Sequence, residues 1–149
     1  MKPGFKFDVS KNANLKSVCA VKKLLKIVQG RTPILHRIGV LILDTYVLDH
    51  SNKEAKALKA GKHAVFGLFV PKKSKKRFAQ FWIPGCDCMI ILPARLPFFD
   101  NPKKPAPIML YWTLIHEMVH YMQFRDRKKL QEPGVEERTE KIMNELFAT

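Results

Sequence analysis

Hydrophobic residues in the C-terminal part of the chain follow two helical patterns, separated by a polar linker. The first is an almost unbroken apolar run from Ile108 to Phe124, and Pro105 and Pro107 suit its beginning because proline fits the first helical turn. Pro133-Gly134 then breaks the chain before a second helical stripe. That stripe contains Val135, Thr139, Ile142, Met143 and Leu146. We therefore predict a central buried helix followed by an amphipathic C-terminal helix.

The N-terminal part begins with a polar segment, which is followed by one amphipathic helix. Residues 1–14 predict an irregular or strand-like lead-in. The stretch from Leu15 to Gln29 predicts a helix that Asn14 caps and Gly30 ends. Its predicted inner side consists of Leu15, Val18, Cys19, Val21, Leu25 and Val28. The lysines of this stretch fall on the opposite, solvent-facing side.

Short runs of β-branched, aliphatic and aromatic residues predict four strands between these helices. Ile38 to Leu48 predicts a strand that is buried on both faces. Ala64 to Pro71 and Phe78 to Pro84 predict a β-hairpin whose charged tip is Lys72 to Arg77. Met89 to Leu92 predicts a short fourth strand. The order of elements indicates an α+β fold with a twisted, mostly antiparallel or mixed sheet.

The composition is that of a globular protein without disulfides or membrane spans. A chain of 149 residues with 46% hydrophobic residues predicts one domain, residues 1–149, with a real core. Cys19, Cys86 and Cys88 do not make a disulfide framework, which favours a reducing compartment. No apolar signal core or long apolar run occurs, so we expect a cytoplasmic location and no membrane partner.

The net charge of +14 is unevenly distributed along the chain. Residues 1–77 contain 18 Lys/Arg and 4 Asp/Glu, whereas residues 78–149 contain 9 of each kind. The basic half could attract nucleic acid, an anionic surface or an acidic partner. A basic surface that serves only solubility is the alternative interpretation.

The apolar run contains an H-E-x-x-H motif at His116-Glu117-Met118-Val119-His120. Residues four apart lie on one face of a helix, so His116 and His120 can point two imidazoles at one ion. Glu117 lies beside them, where a carboxylate can take the proton of a metal-bound water. The motif therefore predicts a Zn²⁺ site, and the alternative is a buried helix whose histidines only form hydrogen bonds.

A catalytic zinc usually has three protein ligands, and the third is expected downstream. No histidine follows His120, which excludes the versions of the motif that use a third histidine. The downstream carboxylates are Asp126, Glu132, Glu136, Glu137, Glu140 and Glu145. Glu136 falls on the edge of the predicted inner stripe and is the predicted third ligand. Glu140 lies one turn below it and is predicted to orient a ligand histidine, whereas Glu137 points nearly opposite, toward solvent.

His116 to His120, followed by Glu136-Glu137-Arg138-Thr139-Glu140, resembles the gluzincin pattern of zinc peptidases. In this pattern H-E-x-x-H lies on one helix, a glutamate on the next, and an acidic residue four positions later. The chain is similar in size to the minigluzincins and to the compact SprT-like and ImmA/IrrE-like domains. The resemblance covers roughly residues 106 to 147, and it leaves Glu137 open as an alternative third ligand.

The resemblance implies a minimal zincin fold and a zinc-dependent peptidase that acts on a protein or peptide substrate. In zincins a strand just before the metal helix forms the edge of the cleft, which implies this role for Met89 to Leu92. A further donor for the tetrahedral oxyanion is expected, with Tyr111, Tyr121, Arg95 and Arg138 as candidates.

Two alternative functions remain open at this point. The basic half could hold DNA or RNA while the neutral half cuts a bound protein, as in SprT-like proteases. The chain could instead be a nucleic-acid or protein-binding module with a structural or inactive zinc site. The presence of Glu117 argues against this last function, because a structural zinc site does not use a base.

Overall fold

The computed structural model describes residues 2–11, 13, 15–43, 67–93 and 106–147. The elements in chain order are β1 (Gly4–Val9), α1 (Leu15–Gln29), β2 (Arg37–Leu43), β3 (Leu68–Pro71), a 3-10 helix (Lys72–Phe81), β4 (Cys88–Pro93), α2 (Ala106–Arg125) and α3 (Val135–Phe147). The sequence predicted α1 with these bounds, the start of α3 at Val135, and α2 with nearly these bounds. The parts of the predicted strands at residues 44–48 and 64–66 lie outside the described residues.

The four strands form one mixed sheet in the order β1-β2-β4-β3. β1, β2 and β4 run parallel to one another, and β3 runs antiparallel to β4. This confirms the predicted α+β class and a mixed sheet of four strands, whereas the mostly antiparallel alternative is wrong because two of the three described strand pairs are parallel. The lead-in before α1 is strand-like, because Gly4–Val9 pairs with Arg37–Ile42 of β2.

The two faces of the sheet are covered by different elements. Residues 38, 40 and 42 of β2 point to the face on which α1 and α2 pack. Leu41 and Met89 point to the opposite face, which Phe78 and Trp82 cover. Since side chains alternate along a strand, burial of both sets means that β2 is buried on both faces, as predicted.

The predicted hairpin between residues 64 and 84 is wrong in its second strand. The chain from Lys72 to Phe81 forms a 3-10 helix that is interrupted at Phe78, whose φ of −118° and ψ of 25° are not helical. β3 pairs with β4 instead, with Leu68 opposite Ile91 and Pro71 opposite Cys88. The aromatic residues that suggested a strand cover one face of the sheet. Their spacing does not alternate every second residue, as it would in a strand.

The strand β4, which precedes α2, is not at the edge of the sheet, and this corrects a second prediction. β4 is hydrogen-bonded to β2 on one side and to β3 on the other. The described edge strand next to β4 is β3, and β3 also contacts α2. A peptide therefore cannot add to β4 as an extra strand.

The inner side of α1 differs from the prediction at three positions. Leu15 is 78% exposed and Cys19 is also exposed, whereas Leu24 is buried. Leu15 is the first residue of the helix and lies at the end of the buried stripe, where the sheet does not cover it.

Within the described ranges, the structure contains no helix with the length and apolar character needed to cross a membrane.

Candidate metal centre

His116 and His120 lie side by side on one face of α2, as their spacing predicted. Their ring centroids are 5.1 Å apart with the ring planes at 74°. Trp112 lies one turn earlier and packs on His116, with ring centroids 5.2 Å apart. The other faces of α2 are buried in the core through residues such as Leu114 and Met118. The helix is thus held rigidly while the two imidazoles remain next to the surface.

A turn ends α2 and reverses the direction of the chain, which then runs back toward the histidines. Arg127 adopts a left-handed conformation with φ of 56°. Its N–H donates to the carbonyl of Phe124, and the N–H of Lys128 donates to the carbonyl of Gln123. This pair of bonds is the Schellman motif, in which the chain reverses direction at the helix end.

A second turn then places the carboxylate of Glu132 at the histidines. The N–H of Val135 donates to the carbonyl of Glu132, and Gly134 between them has φ of 83°. Proline followed by glycine with positive φ is the pattern of a type II turn, of which Glu132 is the first residue. The break that Pro133-Gly134 predicted is therefore this turn.

The three side chains form a compact group of potential metal ligands. Oε1 of Glu132 is 3.0 Å from Nε2 of His120, and Oε2 is 3.3 Å from Nε2 of His116. The three ligand atoms lie within 4.8 Å of one another. Two imidazoles and one carboxylate are the donor set of many three-ligand zinc sites.

The contacts of His120 fit a cation at the centre of this group. Nδ1 of His120 is 2.9 Å from Oε1 of Gln123, an acceptor, so Nδ1 carries a hydrogen. Nε2 of the neutral ring then offers a lone pair, and it faces a carboxylate oxygen of Glu132. Two lone pairs at 3.0 Å require a proton or a metal ion between them.

Protonation of both histidines would satisfy this arrangement poorly, because it would place two positive charges next to each other. Burial lowers the pKa of His116 below its ordinary value, and the neighbouring His120 lowers it further, although Glu132 opposes both effects. Among the described residues, Nδ1 of His116 is buried and has no hydrogen-bond partner. A single divalent cation would replace two adjacent imidazolium charges, and the residues present fit such an ion.

Glu117 is buried beside the histidines, 6% exposed, and contacts the sheet edge. Burial raises the pKa of Glu117 to about 8, and the nearby Glu132 carboxylate raises it as well. The backbone N–H of Phe69 donates to the carboxylate and acts in the opposite direction. A divalent cation beside Glu117 would favour its charged form, which brings its pKa into the range of a general base.

Glu136, the predicted third ligand, is exposed in the first turn of α3. Its charge reaches His116, whose pKa it raises, but the carboxylate that touches both imidazoles is that of Glu132. Glu137 and Glu140 are exposed on the same helix. Coordination by Glu136 remains a prediction, with Glu132 as the carboxylate that the geometry adds.

Sequence reasoning named Glu132 among the downstream carboxylates but did not select it. The Pro133-Gly134 pair was a partial signal, because it predicts a turn whose first residue is Glu132. Gln123 was missed altogether. Its signal was the spacing of three from His120, which places both on one helical face.

Three of the four candidates for the oxyanion donor lie in the described residues. The hydroxyl of Tyr121 is taken up by Leu35 and His36, because it accepts from the Leu35 N–H at 3.0 Å and lies 2.9 Å from Nδ1 of His36. Tyr111 stacks on Phe147, and Arg138 contacts the sulfur of Met122. The fourth candidate, Arg95, lies outside the described residues.

Comparison of the chain with protein-family models, curated proteins and solved structures found no match. The gluzincin resemblance therefore rests on the motif and the spacing of the carboxylates. The geometry of His116, His120 and Glu132 is an independent observation in favour of a metal site.

Proposed function

We propose that the protein is a zinc-dependent peptidase of the gluzincin type. The observation that carries the proposal is the convergence of two imidazoles and a carboxylate next to a buried glutamate. His116 and His120 would hold the ion together with a downstream glutamate. A structural zinc site has no use for Glu117, whereas a hydrolytic site requires a group that accepts and returns a proton.

When bound, the ion would polarise the scissile carbonyl and make water a stronger nucleophile at neutral pH. Residues of the chain itself transfer the proton and hold the proton carrier in place. Glu117 takes a proton from the attacking water and delivers it to the leaving amine. Phe69 holds the Glu117 carboxylate through its backbone N–H, so the proton carrier has a defined position relative to β3.

The peptide substrate is expected to lie along β3. Within the described sheet β1 and β3 are the two edge strands, and Phe69 of β3 contacts Glu117. A peptide that pairs with this edge would pass next to Glu117 and the histidines. This assignment transfers to β3 the role that the resemblance assigned to the strand before the metal helix.

The experiment combines metal analysis with a peptidase assay on the purified chain. We expect about one zinc per chain, determined by mass spectrometry, and cleavage of a casein or mixed-peptide substrate that a chelator abolishes and added zinc restores. Glu117→Gln should keep the zinc and lower the rate by about 10²- to 10⁴-fold, the usual contribution of a general acid–base. Glu137→Gln is the matched control and should keep both zinc and activity.

Zinc binding without any effect of Glu117→Gln on activity would support a binding module with a structural site. A wild-type chain without zinc, purified in the absence of chelators, would remove the proposal.

Nucleic-acid association is a second candidate that the charge distribution favours. Residues 1–43 contain nine Lys/Arg and a single acidic residue, Asp8, and Lys72 to Arg77 adds five further cations in the 3-10 helix. All five of these cationic side chains are exposed. Binding to a DNA or RNA oligonucleotide should weaken steeply with salt, and binding that is insensitive to salt would exclude this candidate.

A further inference from the structure

The side-chain amide of Gln123 joins one ligand histidine to the segment that carries Glu132. Oε1 of Gln123 is 2.9 Å from Nδ1 of His120 and 3.3 Å from the backbone nitrogen of Gln131. Nε2 of Gln123 donates to the carbonyl of Gln131 at 3.1 Å. Glu132 is the next residue along the chain. One buried side chain therefore contacts one member of the metal site, His120, and the residue that precedes a second member, Glu132.

The orientation of this amide follows from its backbone partners. A backbone N–H can only donate and a carbonyl can only accept, so Oε1 must face the nitrogen of Gln131 and Nε2 its oxygen. Oε1 is then an acceptor toward His120 as well. Nδ1 of His120 must donate to it, and Nε2 is left as the ring atom available to an ion.

The amide also determines where Glu132 lies. The segment between Lys128 and Glu132 has no helical or strand structure, and its residues are mostly exposed. The two hydrogen bonds from Gln123 to the backbone of Gln131 tie this segment to α2. Because Glu132 follows directly, these bonds set the distance at which its carboxylate meets His116 and His120.

We propose that Gln123 is the positioning residue of the metal centre. It holds His120 in the tautomer whose Nε2 binds the ion, and it holds the backbone that presents Glu132 to the same ion. The inference rests on the proposed metal site. His116 differs in this respect, because in the described part of the chain its Nδ1 has no partner. His120 is therefore the imidazole whose orientation is set in advance.

The test uses three variants of the full chain. Gln123→Ala removes all three hydrogen bonds. Gln123→Glu keeps an acceptor for Nδ1 of His120 and for the Gln131 N–H, but loses the donor to the Gln131 carbonyl. Gln131→Ala is the matched control, because Gln123 contacts only the backbone of Gln131.

Two measurements separate the positioning role from the proposed function. Zinc affinity is measured by competition with a chromophoric chelator. The tautomer of His120 is measured in the metal-free chain from its ring nitrogen chemical shifts. The wild type should show the Nδ1–H form, and Gln123→Glu should keep it.

Gln123→Ala should lose this preference and should bind zinc about 10- to 100-fold more weakly, as is usual for loss of a partner that orients a ligand. Gln131→Ala should match the wild type in both measurements.

The outcomes separate the positioning role of Gln123 from the peptidase proposal. If the wild type binds zinc and Gln123→Ala binds it equally tightly, the positioning role is overturned and the peptidase proposal is left intact. No zinc in the wild type would remove the peptidase proposal and, with it, the role of Gln123 at a metal centre, even if the Nδ1–H tautomer is present. If Gln123→Ala does not fold, Gln123→Glu decides, because a change of tautomer in that variant contradicts the inference.

Discussion

The backbone N–H of Phe69 donates a hydrogen bond to the carboxylate of Glu117, so β3, an edge strand, and the helix α2 meet at the proposed proton carrier. This contact explains how a carboxylate can be buried there, since it satisfies part of the hydrogen-bonding capacity of Glu117. It also means that any shift of β3 would move Glu117 relative to the histidines. The geometry of the sheet edge is thereby linked to the chemistry of the site.

Gly67 permits this close approach, and a larger residue should disturb it. A Cβ atom at position 67 would lie 2.8 Å from Cγ2 of Thr113 and 3.3 Å from Cγ of Glu117. We expect Gly67→Ala to lower the free energy of unfolding by about 1–3 kcal/mol, as overpacking usually does. Peptidase activity should fall as well, while zinc content stays near that of the wild type. Urea unfolding and metal analysis check this, with Gly30→Ala as a control that has only ordinary contacts. Unchanged activity in Gly67→Ala would show that Glu117 does not depend on β3.

Tyr121 is predicted to be a structural residue and not the oxyanion donor. It is fully buried, and its hydroxyl connects α2 to Leu35 and His36 of the segment that leads into β2. Tyr121→Phe leaves the Leu35 N–H unpaired and should cost about 1–3 kcal/mol of stability. The rate of peptide cleavage should stay within a few-fold of the wild-type rate. Tyr111→Phe tests the second tyrosine candidate in the same assay, because Tyr111 is only partly buried and its ring stacks on Phe147. A loss of rate by Tyr121→Phe of more than tenfold, without a loss of stability, would restore Tyr121 as an oxyanion donor.

The three cysteines should differ strongly in reactivity with iodoacetamide. Cys19 is exposed on α1, whereas Cys86 and Cys88 are buried. Burial raises the pKa of both buried thiols, most strongly for Cys88, so the reactive thiolate is scarcer at a given pH. At pH 8 we expect mass spectrometry to find one rapid label, on Cys19, and full labelling only in denaturant. Labelling of Cys86 should increase as the pH is raised toward its elevated pKa. Rapid labelling of Cys88 in the folded chain would contradict its placement in the core.

Local sequence signals were sufficient where one element alone determines the structure. The run from Ile108 to Phe124 is apolar on almost all sides, so it could only be a buried helix, and the helical spacing then aligned His116 and His120. Gly30 follows the last residue of α1 as predicted, whereas the predicted cap Asn14 lies outside the described residues. These predictions depended on periodicity and end signals, which are properties of a short stretch of chain.

Predictions that depended on tertiary contacts were less successful. The apolar residues near Phe78 suit either a strand or a covering helix, and the local sequence does not show that β3 pairs with β4 and not with this segment. Glu132 reaches the histidines because Arg127 adopts a left-handed conformation. Arginine does not favour this conformation, so nothing in the local sequence announced the reversal of the chain.

The structure and the sequence favour different glutamates as the third ligand of the proposed metal site. Glu132 touches both imidazoles, whereas Glu136 lies in the first turn of α3 and acts on His116 only through its charge. We expect Glu132→Gln to lower zinc affinity by at least about tenfold, since a charged ligand is replaced by a neutral amide. Glu137→Gln should have no effect, because it changes the same charge on the exposed side of α3.

The variant Glu136→Gln decides between the two positions. Zinc titrations of the three variants with a competing chelator provide the measurement, and the same charge change in each removes the net-charge effect from the comparison. Loss of zinc in Glu132→Gln alone assigns the third ligand to the turn that Pro133-Gly134 forms. Loss in Glu136→Gln alone would confirm the sequence prediction and would require α3 to approach the histidines when the ion binds. Loss in both would indicate that the two carboxylates share the ion, which Glu132 can do because its turn ends where α3 begins.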